Sequence, residues 1–106
     1  MGGIERLGPF EEIVLMALIR LGTNAYGMTI RQELTKRTGK EVSIGAVYTT
    51  LERLERKGYV SSRLGESTPE RGGRAKRYFR IEAPGEQALN ASRETLRGML
   101  PEVAHA

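Results

Sequence analysis

Neither cysteine, aspartate nor tryptophan occurs among the 106 residues of this chain. Without cysteine the chain forms no disulfide and carries no thiolate nucleophile, which fits a reducing compartment. All thirteen acidic residues are glutamates, so aspartate, a common nucleophile, metal ligand and triad member, is missing. The single histidine, His105, lies one residue from the C-terminus, where we expect a solvated side chain. These absences count against an enzyme and against a metal site, and no cofactor is expected.

Long apolar runs are missing as well. The longest reaches from Ile13 to Ile19, and Arg20 ends it after seven residues, whereas a membrane-spanning helix needs about 20. The first residues have neither the basic start nor the apolar stretch of a signal peptide. We therefore expect one soluble domain in the cytoplasm, without a membrane segment.

Proline and glycine mark the ends of the first two helices. Pro9 suits the first position of a helix because its missing N–H has no intrahelical partner there. We predict that this helix runs to about residue 21, where Gly22 ends it. A second helix is predicted from about residue 25 to residue 38, capped by Thr23-Asn24 and ended by Gly39.

A third helix is predicted after a short strand at Glu41-Val42. Ser43 is its expected N-cap, and the helix ends at Lys57 with Gly58 beyond it. Its apolar residues form one stripe at helical spacing, which predicts a core face: Ile44, Val47, Leu51 and Leu54.

Another face of this helix carries small polar residues. Ala46, Thr49, Thr50 and Arg53 follow the spacing i, i+3, i+4 and i+7. Such a face is too small for a protein-binding hot spot. It suits close approach to base edges, where threonine hydroxyls and methyls meet bases and the thymine methyl group. The alternative is a solvated face without a function.

The residues after this helix predict a basic hairpin. The strands are expected at about residues 59–64 and 76–82, with Phe79 and Ile81 facing the core and Lys76, Tyr78 and Arg80 on the opposite face. From residue 63 to residue 80 there are six basic residues and two glutamates, a net +4 equal to that of the whole chain. This clustered charge predicts attraction to phosphate or to an acidic partner, and Gly72-Gly73 would allow close approach to a minor groove.

A last helix is predicted to begin near Pro84 and to end before Pro101. Apolar residues recur along it at helical intervals, among them Leu89, Leu96, Met99 and Leu100. We expect this stripe, together with Phe10 and Val14 of the first helix, to be buried against a second subunit. The alternative is a helix folded back on its own domain.

Several segments carry a family pattern in a fixed order: Ala25-Tyr26-Gly27 with Ile30, then Gly45–Leu54, Gly58-Tyr59-Val60 and Gly73–Phe79. Together they resemble the PadR family of bacterial winged-helix transcriptional regulators, over most of the chain. The resemblance implies a homodimer that binds operator DNA and usually represses transcription. Helix three would enter the major groove, the hairpin would contact the flanking groove, and the last helix would form the dimer.

The resemblance also bears on single positions. When the family's motifs are placed on this sequence, the helix-three motif includes Tyr48 and Thr49, and the hairpin motif includes Lys76, Arg77 and Tyr78. Some members respond to phenolic acids or flat hydrophobic drugs near the dimer interface, so a small hydrophobic or phenolic effector is an expected kind of partner. This chain departs from the pattern at Glu82, where a threonine often caps the last helix, and it has no tryptophan for an aromatic drug slot.

The predicted fold is mainly α with a small β-hairpin wing. A winged helix-turn-helix DNA-binding domain occupies residues 1–83, and a C-terminal dimerisation helix and tail occupy residues 84–106. The predicted function is sequence-specific binding of duplex operator DNA by a homodimeric regulator, with repression as the expected result. The expected base contacts come from Ala46, Thr49, Thr50 and Arg53. The other expected DNA contacts, mainly to phosphates, come from Ser43, Tyr48, Arg63, Arg74, Lys76, Arg77 and Arg80, with Arg74 in the minor groove.

Two other functions remain open. One is a winged-helix module that binds protein or RNA without a specific operator. The other is a small-molecule receptor with weak DNA binding. An enzyme has the least support, because the chain contains no nucleophile–base pair, metal cluster or phosphate-binding glycine loop.

Overall fold

A computed structural model describes residues 7–66 and 75–101. The elements are α1 (Pro9–Leu21), a 3₁₀ turn (Gly22–Asn24), α2 (Gly27–Thr38), α3 (Ile44–Arg56), β1 (Val60–Leu64), β2 (Arg77–Ile81) and α4 (Ala83–Met99). The two strands pair in antiparallel fashion, from Val60 opposite Ile81 to Leu64 opposite Arg77. The predicted architecture is confirmed: it is mainly helical, with one β-hairpin and a C-terminal helix.

One apolar core holds these elements together. Its members come from α1, α2, α3, both strands and α4, and they include Val14, Leu15, Ile30, Val47, Leu51, Leu54, Phe79 and Leu89. Burying a side chain of this size contributes about 1.5–3 kcal/mol relative to leaving it exposed. Because α3 and both strands share this core, their relative position is fixed by packing.

The ends of α1 and α3 follow the local signals in the sequence. Pro9 begins α1, and Gly22 ends it with a φ of 59°. At α3, the Ser43 hydroxyl accepts a hydrogen bond from the Ala46 N–H at 3.1 Å, as expected for an N-cap. Beyond α3, Gly58 has a φ of 78°, a conformation that glycine adopts at low cost.

The predicted start of α2 was wrong by two residues. Ala25 is extended, and its carbonyl accepts a hydrogen bond from the Phe79 N–H at 2.8 Å. Tyr26 forms a β-bridge with Tyr78, so the chain continues as an extended segment to Tyr26. The N-terminal cap comes from within the helix, because the Thr29 hydroxyl accepts from the Tyr26 N–H at 2.9 Å.

The predicted strand at Glu41-Val42 is also absent from the described residues, which contain a two-stranded sheet. The free edge of β2 is occupied by Ala25 and Tyr26 instead. The Val42 carbonyl accepts a hydrogen bond from Arg31 Nε at 2.7 Å and so bonds to α2 rather than to a strand.

The first half of α4 packs on its own chain. The Ser92 hydroxyl donates to the Glu12 carboxylate of α1. Leu89 is 2% exposed and Val14 is 0% exposed, so both belong to the core. Their prediction as dimer-interface residues was therefore wrong, because a side chain already enclosed by its own chain has no surface to offer a partner.

The second half of α4 differs from the first. Leu96, Met99 and Leu100 are exposed, Met99 by 75%. Of the other predicted interface residues, Phe10 is half-buried against the core. In the part of the chain that the structure describes, no helix combines the length and the apolar character that crossing a membrane requires.

Candidate nucleic-acid interface

The outward surface of α3 is made of small and charged residues. Gly45, Thr49, Glu52 and Arg56 follow the spacing i, i+4, i+7 and i+11, and all four are exposed. Ala46 and Arg53 are also exposed and lie along one side of this row. The face therefore carries only small side chains near the start of the helix and charged side chains near its end.

Thr50 does not belong to this surface. Its exposed fraction is 5%, because it lies on the same stripe of α3 as the core residues Val47, Leu51 and Leu54. The prediction that Thr50 contacts bases was wrong for this reason. Thr49, one position earlier, is exposed.

Sequence reasoning missed Gly45, Glu52 and Arg56. The sequence could have pointed to them, because positions 45, 52 and 56 lie four residues before Thr49 and three and seven residues after it, on one face of a helix. The spacing from Thr49 and Thr50 together gives positions 46 and 53 instead. Both sets satisfy a helical period, and only the packing of α3 against its neighbours shows which one faces outward.

Tyr48 lies beside this surface and contacts the start of α2. A β-carbon added to Gly27 would stand 2.2 Å from the Tyr48 Oη, so the absence of a side chain at residue 27 makes room for the end of the Tyr48 side chain. The Tyr48 side chain remains 41% exposed.

The described basic residues of the hairpin point to two faces. Arg63 and Arg80 share a face with Tyr78, opposite the face of Phe79. Arg77 lies on the face of Phe79, and its Nη1 donates to the Ser62 hydroxyl at 3.0 Å. These cations therefore flank the hairpin on both sides rather than forming one row.

Hydrogen bonds connect the hairpin to α3 and to Glu82, the residue that follows β2. The Ser62 hydroxyl donates to Glu55 Oε2 of α3 at 2.8 Å. At the other end, Arg80 Nε donates to Glu82 Oε2 at 2.9 Å, and the Ser61 hydroxyl donates to the same carboxylate. Both hydrogen bonds lower the pKa of Glu82 below its ordinary value, and the one from Ser61 has the larger effect. Glu82 lies at the N-cap position of α4 but directs its carboxylate to the hairpin.

A groove of about 630 Å³ separates α3 from the hairpin. Side chains of α3, of the start of α2 and of the hairpin line it, including Tyr48, Glu52, Met28, Leu64, Lys76 and Arg77. Arg74 and Gly72-Gly73, which were predicted to act in a minor groove, lie outside the described residues.

The end of α3 is anchored to the start of α1. Lys57 Nζ lies 3.0 Å from Glu11 Oε2, and the Gly8 N–H donates to Glu11 Oε1 at 2.8 Å. Burial by itself would raise the pKa of Glu11. The hydrogen bond from Gly8 and the charge of Lys57 outweigh burial, so the pKa is lowered. Among the described residues, no three histidine, cysteine or acidic side chains are grouped to hold a metal ion.

Residues 14–91 match the model of the transcriptional regulator PadR-like family. A PadR-like transcription factor from Bacteroides fragilis has a similar structure, with a TM-score of 0.73 and 24% identity over 85% of this chain and 82% of that chain. A transcriptional regulator from Clostridium thermocellum gives a TM-score of 0.69 and 27% identity over 82% and 79%. A PadR-like regulator from Bacillus cereus gives 0.69 and 21% over 84% and 82%. No curated protein shows significant sequence similarity to the chain.

Proposed function

Because the chain belongs to the PadR-like family of transcriptional regulators, we propose that it binds duplex operator DNA in a sequence-specific manner, as a homodimer that represses transcription. One observation carries this proposal: the exposed, narrow face of α3 lies beside a hairpin with cations on both of its faces. A helix of this kind fits the major groove, and flanking cations fit the phosphates on either side.

In this proposal the outward row of α3 contacts base edges. Gly45 and Ala46 leave little side chain between the helix backbone and the DNA. Thr49 offers both a hydroxyl and a methyl group, and Arg53 and Arg56 are donors suited to guanine. Thr50 has no part in these contacts, because it is buried.

The remaining polar residues are proposed to contact the phosphates. In the described residues these are Ser43, Tyr48, Arg63, Lys76, Arg77 and Arg80, all on the exposed or half-exposed surface around α3 and the hairpin. For Arg80 a phosphate would compete with the Glu82 carboxylate that it already contacts. For Arg74 a minor-groove contact remains the expectation from the sequence.

The exposed end of α4 supports the dimer. Leu96, Met99 and Leu100 leave an apolar surface open to solvent, and Met16 and Ile19 of α1 are exposed as well. Such residues mark an interaction site when they form a patch. We place the dimer contacts in the second half of α4, within residues 84–106, and the DNA contacts within residues 1–83. We propose no catalytic activity for this regulator.

An anisotropy titration tests the proposal directly. A labelled duplex from upstream of the protein's own gene is titrated at two salt concentrations, with random duplex as competitor. If a dimer neutralises about eight phosphates, the logarithm of affinity falls with the logarithm of salt with a slope of about −7. A slope near zero would contradict the electrostatic contacts. Binding that random duplex abolishes would contradict specificity for that fragment.

A second competition separates the proposal from the protein- or RNA-binding alternative. On our proposal, duplex DNA displaces the labelled operator better than single-stranded RNA of equal length. Operators selected from a random library should be near-palindromes with half-sites about 34–36 Å apart, or a multiple of that distance. Equal competition by RNA would favour the alternative.

A further inference from the structure

Four side chains form a continuous row at the end of the hairpin strands that lies away from α3 and α4 along the chain, and we call it the aromatic row. The guanidinium carbon of Arg63 lies 5.1 Å from the centre of the Tyr78 ring. The Tyr78 and Tyr26 ring centres are 5.5 Å apart, with the ring planes at 75° in an edge-to-face arrangement. Lys76 Nζ lies 4.4 Å from the centre of the Tyr26 ring. Cations at these distances are attracted to the faces of aromatic rings.

The backbone holds this row in place. Tyr26 and Tyr78 form a β-bridge, and Arg63 pairs directly with Tyr78 across the hairpin. The Gly65 N–H donates to the Lys76 carbonyl at 2.7 Å, which fixes the backbone of Lys76. A β-carbon on Gly65 would stand 2.6 Å from the Tyr78 ring, so the absence of a side chain at residue 65 makes room for that ring.

The two cations stand at the two ends of the row and line different grooves. Lys76 lines the groove between α3 and the hairpin, where Tyr26 and Tyr48 also lie. Arg63 lines a separate groove of about 680 Å³, between the end of α1 and the hairpin. Lys76 also approaches the Tyr26 hydroxyl, with Nζ 3.4 Å from Oη. A lysine held by a ring loses less side-chain freedom when it meets a phosphate than a lysine that moves freely in solvent.

We propose that Tyr26 and Tyr78 are positioning residues for DNA binding. They hold Lys76 at the groove beside α3 and Arg63 at the groove beside the end of α1, so that both cations are arranged for phosphates before the DNA arrives. This inference rests on the proposed function. It adds that two tyrosines act on DNA affinity through neighbouring cations, without touching the DNA themselves.

A double-mutant cycle tests the proposal. Kd is measured by anisotropy at several salt concentrations, with a duplex that the wild-type protein selects from a random library. Lys76→Ala and Tyr26→Leu should each weaken binding by about two- to tenfold, and each should make the salt dependence shallower by a similar amount. Once Tyr26 is leucine, Lys76→Ala should cost little more, because the orientation of Lys76 is already lost.

Three further variants make the test specific to the row. Tyr26→Phe keeps the ring, so it should bind nearly as the wild type does. Gly65→Ala displaces the Tyr78 ring without removing a cation. In that background too, Lys76→Ala should cost little more, so the test holds even if Tyr26→Leu fails to fold. Tyr59→Leu removes an aromatic ring whose nearby cation is Lys57, 6.0 Å away and not on the hairpin. It should leave the salt dependence unchanged.

The possible results separate the two proposals. If Lys76→Ala costs the same factor with and without Tyr26, the cations act independently of the tyrosines and the inference is overturned, while the proposed function stands. If the wild-type protein selects no sequence and binds no duplex at low salt, both proposals fail together. Coupling in both the Tyr26→Leu and Gly65→Ala backgrounds establishes the positioning role.

Discussion

Gly85 of α4 lies against the backbone carbonyl of Tyr59: a β-carbon added to Gly85 would stand 2.3 Å from that oxygen. The same carbonyl accepts a hydrogen bond from the Glu82 N–H at 2.8 Å. The first turn of α4 is therefore fixed to the segment that joins α3 to the hairpin. This contact sets the direction in which the proposed dimerisation helix leaves the proposed DNA-binding surface.

We expect Gly85→Ala to destabilise the protein by about 1–3 kcal/mol, because backbone atoms cannot move aside as a side chain can. Gly98→Ala, in the same helix, is the matched control. A β-carbon there has no atom within 4 Å, and alanine should stabilise the helix by about 0.5–1 kcal/mol. Urea unfolding of both variants measures the difference. Equal stability of the two would show that the contact at Gly85 relaxes without cost.

Neighbouring threonines on α3 should behave differently. Thr49→Ala removes an exposed hydroxyl from the outward row and should lower the ratio of operator to random-duplex affinity by about fivefold, or about 1 kcal/mol. Thr50→Ala acts in the core and should leave that ratio unchanged while lowering stability by about 1 kcal/mol. Competition titrations and urea unfolding of both variants test this. A larger loss of specificity from Thr50→Ala would contradict the orientation of α3.

Glu52 is an acid on a surface proposed to face DNA, and among the described residues it has no ion-pair partner. Its carboxylate repels phosphates, but it suits the amino group of cytosine in the major groove. Glu52→Gln should strengthen binding to random duplex by about two- to fivefold at low salt, and less at high salt.

The same variant should change the sequences that the protein selects from a random library. A cytosine enriched by the wild type should lose its enrichment with Glu52→Gln. Glu94→Gln, which removes an exposed acid from the second half of α4, is the control and should alter neither measurement. If wild type and Glu52→Gln select the same sequences, Glu52 contacts no base.

The proposed dimer should depend on the end of α4. Leu96→Glu places a charge within the exposed apolar surface and should halve the mass measured by light scattering. Ala91→Glu puts the same side chain on the opposite face of the helix, and the mass should stay that of a dimer. In contrast, Leu89→Ala should lower stability by about 2–5 kcal/mol, because Leu89 lies in the core of its own chain. An unchanged mass for Leu96→Glu would rule out this interface.

Low pH should weaken the ion pair between Glu11 of α1 and Lys57 at the end of α3. The pKa of Glu11 is lower in the folded protein than its ordinary value, so the ionised carboxylate contributes stability above about pH 4.3, and this is lost as the pH falls through the folded-state pKa. Glu11→Gln should therefore destabilise the protein by about 2 kcal/mol at pH 7 and should flatten the loss of stability below pH 4. Thermal melts from pH 3 to pH 7 measure this. A parallel pH profile in wild type and variant would contradict it.

Local signals in the sequence were sufficient for much of the fold. Pro9, Ser43 and Gly58 mark helix ends through effects that act within a few residues, and the structure has those ends where the sequence predicts them. The alternation of β2 likewise predicted that Phe79 faces the core. The start of α2 was missed because Tyr26 pairs with Tyr78, far along the chain, and this pairing prevails over the capping residues beside it.

The candidate site was predictable only in part, as Thr49 and Thr50 illustrate. Two helical rows, one through positions 46, 49, 50 and 53 and one through 45, 49, 52 and 56, fit the period of α3 equally well. The outward row was decided by how α3 packs on its neighbours, and that packing buries Thr50 and exposes Glu52.

The sequence by itself determined the helical and hairpin segments, the basic charge of the hairpin and the resemblance to a family, because each of these depends on residue type and short spacing. Only the tertiary structure decided which residues share a surface. It buried Val14 and Leu89 in the core, left Leu96 exposed, and aligned Tyr26 with Tyr78. Such contacts join distant parts of the chain, and they depend on how whole elements fit together rather than on any local pattern.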